Sequence, residues 1–146
     1  MDSHTRINDI LVHLFREIWE LEEKAIITEE FKDISLNDMH IIEAIGLGDG
    51  KNMSAIAKLL NITTGSLTTS MNSLVNKKYA IRRRSDEDRR IVYIRLAEKG
   101  ERAFLHHQQF HEKMTDAVVE TMPEVEMQVL LQALGRLDGF FKGYNS

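Results

Sequence analysis

The sequence contains no cysteine, which excludes disulfide bonds, thiolate nucleophiles, thiolate metal ligands and a cysteine redox switch. No apolar run approaches the roughly 20 residues that a transmembrane helix needs. The first residues also lack the basic region and apolar core of a secretory signal. We therefore expect a cytoplasmic protein whose 146 residues form a single domain with its own core.

Motifs of the common enzyme classes are missing as well. The sequence has no G-x-S-x-G nucleophile elbow, no P-loop, no dinucleotide-binding fingerprint and no H-E-x-x-H zinc motif. The chain is therefore predicted not to be an enzyme and to need no cofactor.

The net charge is −4, but the charges are unevenly distributed, and one segment of the chain is strongly basic. Between Lys77 and Arg95 there are eight basic residues and three acidic ones, so this segment carries +5 and the rest of the chain carries −9. A basic patch on an acidic body is typical of a protein that binds nucleic-acid phosphates at one place. A mixed run of solvated surface charges is the alternative, and the density of arginine makes it the weaker one.

Helical periodicity dominates the chain. Apolar residues recur at helical spacing over residues 6–27, from about residue 98, and again after Pro123, the only proline. Ser35 and Asp38 have the spacing of a capping box, which predicts the start of a further helix. Four helices with apolar stripes are therefore expected outside the central region.

The central region predicts two short helices joined by a tight turn. Ser54 is expected to cap a helix over residues 55–60, Asn61 to occupy the turn, and Thr63 to cap a helix that runs to about Lys77. Their apolar residues are expected to share one core: Ile56, Leu59, Leu60, Ile62, Leu67, Met71 and Leu74. This is the helix-turn-helix pattern, whose second helix fits the major groove of DNA.

Two strand-like runs follow, residues 79–84 and 89–96, with the polar residues 85–88 between them. The fold class expected is mainly α with a small β-hairpin wing. Residues 35–97 would form the winged helix-turn-helix, and residues 1–30 and 98–146 the helices of a dimerisation region.

The second central helix has an apolar face and a face of short hydrogen-bonding side chains, which suit base edges and phosphates. The candidate DNA-binding residues of the two central helices are Ser54, Thr64, Gly65, Ser66, Thr68, Thr69, Asn72, Ser73, Asn76 and Lys77. Those of the hairpin are Arg82, Arg84, Asp88, Arg89 and Arg90. An arginine-tipped hairpin beside such a helix can reach the adjacent minor groove.

The sequence resembles the MarR family of transcription regulators. The resemblance rests on residues 61–74, residues 77–81, the segment Arg84-Ser-Asp-Glu-Asp-Arg-Arg90 and the Leu-x-x-x-Gly pattern of residues 96–100. It implies a homodimer on a pseudo-palindromic operator, with Arg89 in the minor groove and Asp88 orienting it. Two residues depart from the family pattern: Ala97 replaces the usual threonine and Asn61 the usual turn glycine.

Within the family, residues 31–40, 45–46 and 68–72 are most similar to the branch that represses fatty-acid synthesis genes in Gram-positive bacteria. That similarity implies acyl-acyl carrier protein as corepressor and an apolar channel for the acyl chain. The candidate channel residues are Leu14, Ile18, Met39, Ile42 and Phe104. The alternatives are a repressor of efflux or stress genes that is released by small aromatic ligands, or a zinc-responsive regulator.

The histidines offer the only other candidate chemistry. His107 and His111 lie one helical turn apart and could bind zinc. Because no cysteine supports them, we expect His106, His107 and His111 to form a solvated or interfacial cluster, and no metal site is predicted. His40 is expected to be a core or pocket histidine.

Overall fold

A computed structural model of the protein describes residues 2–26, 28 and 30–144. The elements follow in this order: α1 (Ser3–Ile26), α2 (Leu36–Ile45), β1 (Lys51–Asn52), α3 (Met53–Leu60), α4 (Thr64–Asn76), β2 (Ala80–Arg84), β3 (Val92–Leu96), α5 (Glu98–Glu120) and α6 (Glu124–Tyr144). The chain forms two compact units, Met1–Phe110 and His111–Ser146, with the boundary inside α5. The fold is thus mainly helical with a small sheet, as the sequence predicts.

The first helix starts three residues before its predicted beginning, at Ser3. Its predicted last residue, Ile27, lies outside the described residues, as do Met1, Glu29 and residues 145–146 of the predicted dimerisation segments.

Side-chain caps fix the starts of the central helices. The capping box of α2 is confirmed, because the Asp38 amide donates to Ser35 Oγ at 3.1 Å and the Ser35 amide donates to Asp38 Oδ2 at 3.0 Å. Thr63 caps α4, and its Oγ1 accepts from the Ser66 amide at 3.1 Å. The prediction for α3 was wrong: Asn52, not Ser54, is the cap, and its Oδ1 accepts from the Ala55 amide at 2.8 Å. An asparagine serves this role as well as a serine, so the helix begins two residues early.

A three-stranded antiparallel sheet has the order β1-β3-β2. The hairpin of β2 and β3 pairs Ala80 with Leu96 and Arg84 with Val92. The third strand, β1, was not predicted, and it pairs Lys51 with Ile94. The hairpin loop is longer than expected, because the Ser85 amide donates to the Ile91 carbonyl and the pairing ends there. Residues 89–91 therefore belong to the loop and not to the strand.

The core of the first unit lies beneath the two central helices and the sheet. It is formed by side chains from α1, α2, α3, α4, the sheet and α5, including Ile26, Met39, Ile42, Ile56, Leu67, Met71, Leu74, Tyr79, Ile94 and Ala103. Four of the seven apolar residues predicted for the helix-turn-helix core are buried and Leu60 packs against the cluster. Leu59 and Ile62 were predicted wrongly, since they are 63% and 41% exposed. Leu59 lies next to the exposed Lys58 on the outer side of the short helix, and Ile62 lies beyond the left-handed turn at Asn61.

Tyr79 joins the end of α4 to the start of α5. The buried ring carries a hydroxyl that donates to Asp33 Oδ1, and Lys99 Nζ lies 4.5 Å from the ring centroid. That hydrogen bond holds the pKa of Asp33 below its usual value. The Tyr79 carbonyl accepts from the Ala97 amide at 2.9 Å, so both ends of the residue anchor the base of the hairpin.

The second unit contains the end of α5 and all of α6. None of the described residues of α6 is buried, although the helix carries apolar side chains at helical spacing, among them Leu134 and Phe141. Within the described part of the chain, no helix is both long enough and apolar enough to cross a membrane.

Candidate nucleic-acid interface

The helix α4 presents two chemically distinct faces. Leu67, Met71 and Leu74 are buried, which places the polar positions on the outer side. Ser73 is half-buried, and the other candidates on this helix are exposed: Thr64, Gly65, Ser66, Thr68, Thr69, Asn72 and Asn76. An exposed helix face of hydroxyls and amides can donate to and accept from base edges.

A groove runs between this helix and the hairpin. It is lined by Asn52, Met53, Ser54, Thr64, Thr68, Arg82, Arg84, Arg90, Ile91 and Val92. Six of these ten residues were predicted from the sequence as DNA-binding residues. The sequence prediction did not include the other four, Asn52, Met53, Ile91 and Val92; the helix-capping potential of Asn52 is the one signal that could have drawn attention to any of them.

The three consecutive arginines of β2 alternate between the two faces of the sheet. Arg82 and Arg84 line the groove beside α4, whereas Arg83 lies in a depression on the other face, 5.7 Å from the centroid of the Tyr93 ring. Side chains alternate in this way along any strand. The pairing of Arg82 with Ile94 and Arg84 with Val92 fixes which two face the groove.

The helix and the hairpin are joined by one side-chain hydrogen bond. Arg82 Nη2 donates to Asn72 Oδ1 at 2.6 Å, and both side chains are exposed. This bond fixes the amide of Asn72 and the guanidinium of Arg82 relative to each other. The candidate base-reading helix and the basic hairpin therefore present their side chains as one surface.

The hairpin loop is held by its own charged residues. Arg84 Nη1 donates to the Arg89 carbonyl at 2.9 Å, and Ser85 Oγ accepts from the Asp88 amide at 3.2 Å. The resemblance implied that Asp88 orients Arg89, but its carboxylate forms a two-point ion pair with Arg90, at 3.0 Å to both Nε and Nη2. This ion pair holds the pKa of Asp88 below its usual value. The guanidinium of Arg89 is exposed at the tip.

Lys77 lies apart from the groove. Its Nζ donates to the Asp33 carbonyl, so the amine contacts the segment that precedes α2.

The candidate effector residues occupy three different environments in the first unit. Met39 and Ile42 are fully buried in the core, and Phe104 packs against that core. Ile18 is half-buried and Leu14 is 48% exposed. In this conformation the two α2 residues are therefore filled core positions and do not line an open channel.

His106, His107 and His111 were expected to form a solvated or interfacial cluster, but the first two contact the interior of the first unit. His106 Nε2 donates to the Ala25 carbonyl at 2.7 Å, and His107 is 1% exposed. The neighbouring acidic residues were not identified from the sequence, because Glu22 and Glu43 lie far from His107 along the chain. His40 is partly exposed beside Glu22.

Comparisons with known proteins agree with this geometry. A sequence profile of the MarR family matches residues 32–91. The chain is 31% identical to the HTH-type transcriptional regulator BilQ of Clostridium symbiosum over 127 residues, 84% of this chain and 86% of that protein. It is 26% identical to the uncharacterized HTH-type transcriptional regulator YpoP of Bacillus subtilis, over 94% of this chain and 92% of that one.

A solved structure extends the likeness to nearly the whole chain. The crystal structure of Streptococcus pneumoniae FabT in complex with DNA is similar with a TM-score of 0.90 and 35% identity, covering 97% of this chain and 99% of that one. The helix-turn-helix, the hairpin and the flanking helices are therefore all shared with a protein that binds DNA. The chain belongs to the MarR family, and it is a DNA-binding transcription regulator rather than an enzyme.

Proposed function

We propose that the protein is a homodimeric cytoplasmic repressor that places α4 in the major groove and the arginines of the hairpin loop in the adjacent minor groove of a pseudo-palindromic operator. The observation that carries this proposal is the continuous surface formed by the polar face of α4, the Asn72–Arg82 hydrogen bond and the exposed Arg89. Major-groove base edges distinguish all four base pairs, whereas the narrow minor groove attracts arginine through its negative potential. We therefore expect α4 to read the base sequence and the hairpin arginines to respond to the negative potential of the minor groove.

Exposed apolar side chains on α1 and α6 support the proposal of a homodimer. On α1, Ile7 and Ile10 are 58% and 53% exposed, and on α6 Leu134 and Phe141 are about half exposed. Isolated apolar residues on a surface are ordinary, but stripes along two helices exceed what a monomer usually exposes. A second copy of the chain, related by a two-fold axis, would cover both stripes and separate the two α4 helices by about one turn of DNA.

We expect light scattering to give a mass near twice 16.9 kDa at micromolar concentration. Ile10→Glu should weaken the dimer at least roughly tenfold, because it places a charge in the apolar stripe. Thr5→Glu adds the same charge to the exposed polar side of α1 and should leave the dimer intact. A wild-type monomer at this concentration would refute the dimer.

The resemblance of residues 31–40, 45–46 and 68–72 to the fatty-acid branch of the family, together with the likeness to FabT, supports a more specific proposal. We propose that the targets are fatty-acid synthesis genes and that acyl-acyl carrier protein is the corepressor. The supporting observations are the 35% identity over 97% of this chain and the apolar residues of α1, α2 and α5 in the first unit. A channel for the acyl chain would have to open between Ile18 and Phe104, since Met39 and Ile42 are closed core positions here.

A titration of operator binding with acyl carrier protein tests this proposal. Each buried methylene contributes about 0.8 kcal/mol, so DNA affinity should rise with acyl length until the channel is full. The effect requires that the ligand prefer the DNA-competent state, since equal affinity for both states shifts nothing. Unacylated carrier protein is the control. If it acts like the long-chain form, the lipid proposal fails, whereas release of DNA by small aromatic ligands would support the alternative.

A further inference from the structure

The face of the three-stranded sheet that points away from the DNA-binding groove carries a second group of basic side chains. In the hairpin, Arg95 lies opposite Ile81 and Arg83 lies opposite Tyr93. Because side chains alternate along a strand, these four residues share the face that is turned away from the groove. They line one depression, which we call the outer sheet face, and its other lining residues are Asp49, Gly50 and Ile94.

The outer sheet face combines side chains that are typical of protein–protein interfaces. Arg83 and Arg95 are exposed, and within the described part of the chain neither guanidinium is paired with a carboxylate. The Arg83 guanidinium lies 5.7 Å from the centroid of the half-buried Tyr93 ring, and Ile81 on the same face is 37% exposed. Arginine and tyrosine contribute most to binding in many interfaces. Two arginines against the single carboxylate of Asp49 favour a partner whose surface is acidic and partly apolar.

The outer sheet face also remains free in the proposed complex with DNA. A corepressor has to bind while the regulator is on its operator, so its docking surface cannot overlap the surface that contacts DNA. The groove beside α4 is lined by Arg82 and Arg84, whereas Arg83 and Arg95 lie on the other face of the same two strands. A basic surface is therefore accessible to a protein partner after the groove is occupied.

The outer sheet face is connected to the end of α2, the helix that carries two of the candidate effector residues. Gly50 packs so closely on β3 that an added Cβ atom would lie 1.9 Å from the Ile94 carbonyl oxygen. The next residue, Lys51, pairs with Ile94, and its Nζ donates to the carbonyls of Ala44 and Ile45 at 3.0 and 2.8 Å. Both carbonyls belong to the last turn of α2. A partner on this face would thus contact a segment that is hydrogen-bonded directly to that helix.

We propose that the outer sheet face is the docking surface for the acyl carrier protein, an inference that rests on the corepressor role proposed above. A carrier protein is acidic and holds its acyl chain on a flexible pantetheine arm, so the protein and the chain can bind at separate places. Arg83 and Arg95 would pair with carboxylates of the carrier, and Tyr93 and Ile81 would contact apolar side chains among them. The outer sheet face would then recognise the carrier, while the apolar channel would recognise the length of the chain.

The test is a titration of the purified full-length protein with acyl carrier protein that bears a long saturated chain. We expect the double variant Arg83→Ala/Arg95→Ala to bind the acylated carrier at least roughly tenfold more weakly than the wild type. Its affinity should also depend less on salt, because two charge pairs across the interface are lost. The matched control is Arg6→Ala/Arg136→Ala, which removes two charges from exposed positions on α1 and α6 and should bind the carrier like the wild type.

Long-chain acyl-pantetheine separates docking of the carrier from binding of the acyl chain. This probe has the same chain and arm but lacks the acidic protein, so the wild type and Arg83→Ala/Arg95→Ala should bind it equally. Without any carrier, the double variant should also bind the operator with unchanged affinity. That result would show that the variant is folded and that its two arginines do not contact DNA.

The docking proposal is overturned if Arg83→Ala/Arg95→Ala binds the acylated carrier as tightly as the wild type. It is equally overturned if the folded variant loses operator affinity in the absence of carrier, because the two arginines would then belong to the DNA-binding surface. Either result leaves the corepressor role intact, whereas a wild type that does not bind the acylated carrier would contradict both proposals. If circular dichroism shows that the double variant does not fold, the single variants Arg83→Gln and Arg95→Gln decide between the same outcomes.

Discussion

Arg89→Ala is expected to weaken binding to the operator and to random DNA by the same factor. The guanidinium is exposed at the tip of the hairpin, and the loop beneath it is held by the Arg84 hydrogen bond to the Arg89 carbonyl, which the substitution leaves in place. A minor-groove arginine neutralises the charge of the phosphates around it and so releases counterions; each phosphate neutralised contributes about 0.9 to the slope of log affinity against log salt, so the loss of the Arg89 charge should reduce that slope by about 0.9. The advantage of the wild type should then shrink about 3.5-fold between 50 and 200 mM salt.

Arg83→Ala is the matched control for this variant. It removes the same charge from the neighbouring strand, but Arg83 lies against Tyr93 on the other face of the sheet. Fluorescence anisotropy over a series of salt concentrations should show a changed slope for Arg89→Ala and little change for Arg83→Ala. If the two variants gave the same slope of log affinity against log salt, the hairpin would act only through the net charge of the protein and not through a contact made by Arg89.

The same assay separates the helix from the hairpin. Asn72→Ala should cost about 1–3 kcal/mol on the operator, roughly 5- to 150-fold, and much less on random DNA, because base contacts carry sequence information. Asn72 also accepts from Arg82, so Arg82→Ala measures the part of the loss that arises from that hydrogen bond. If Asn72→Ala weakens operator and random DNA alike, α4 is not the base-reading helix.

The local signals of this sequence predicted the helices and the hairpin well. The capping box at Ser35, the cap at Thr63 and the left-handed turn at Asn61 all lie where residue type and spacing place them. Each depends on neighbours within four residues, and such short-range rules are independent of the rest of the fold. The same is true of the alternation that directs Arg82 and Arg84 to one face.

The features that sequence reasoning missed depend on contacts between distant segments. The two-residue strand β1 exists because Lys51 and Asn52 pair with Ile94 and Tyr93, some forty residues later. Leu59 looked like a core residue by its type, but the short helix turns it outward. The acidic partners of His107, Glu22 and Glu43, come from two other helices. The spacing of apolar residues along the sequence cannot reveal these contacts, because they are determined by how distant segments pack in the fold.

The final residue of the Leu-x-x-x-Gly pattern illustrates how a sequence motif gains a physical meaning only in the structure. A Cβ atom added at Gly100 would lie 2.1 Å from the Tyr79 carbonyl oxygen and 3.1 Å from Leu96 Cδ2. That carbonyl accepts the hydrogen bond from the Ala97 amide at the start of α5. The glycine therefore lets α5 pass directly over the junction between α4 and β2.

Gly100→Ala is accordingly expected to destabilise the first unit, by about 2–4 kcal/mol. The added methyl must displace backbone rather than a flexible side chain; overpacking of this kind costs about 1–3 kcal/mol, and loss of the Ala97 hydrogen bond adds about 0.5–1.5 kcal/mol. The expected sign is informative, because glycine to alanine inside a helix ordinarily stabilises by up to about 1 kcal/mol. Gly65→Ala supplies that reference in the same unit, since a Cβ there meets nothing closer than Thr63 Oγ1 at 3.9 Å. Urea denaturation followed by circular dichroism should separate the two variants by several kcal/mol, and a Gly100→Ala protein as stable as Gly65→Ala would show that α5 does not rest on Tyr79.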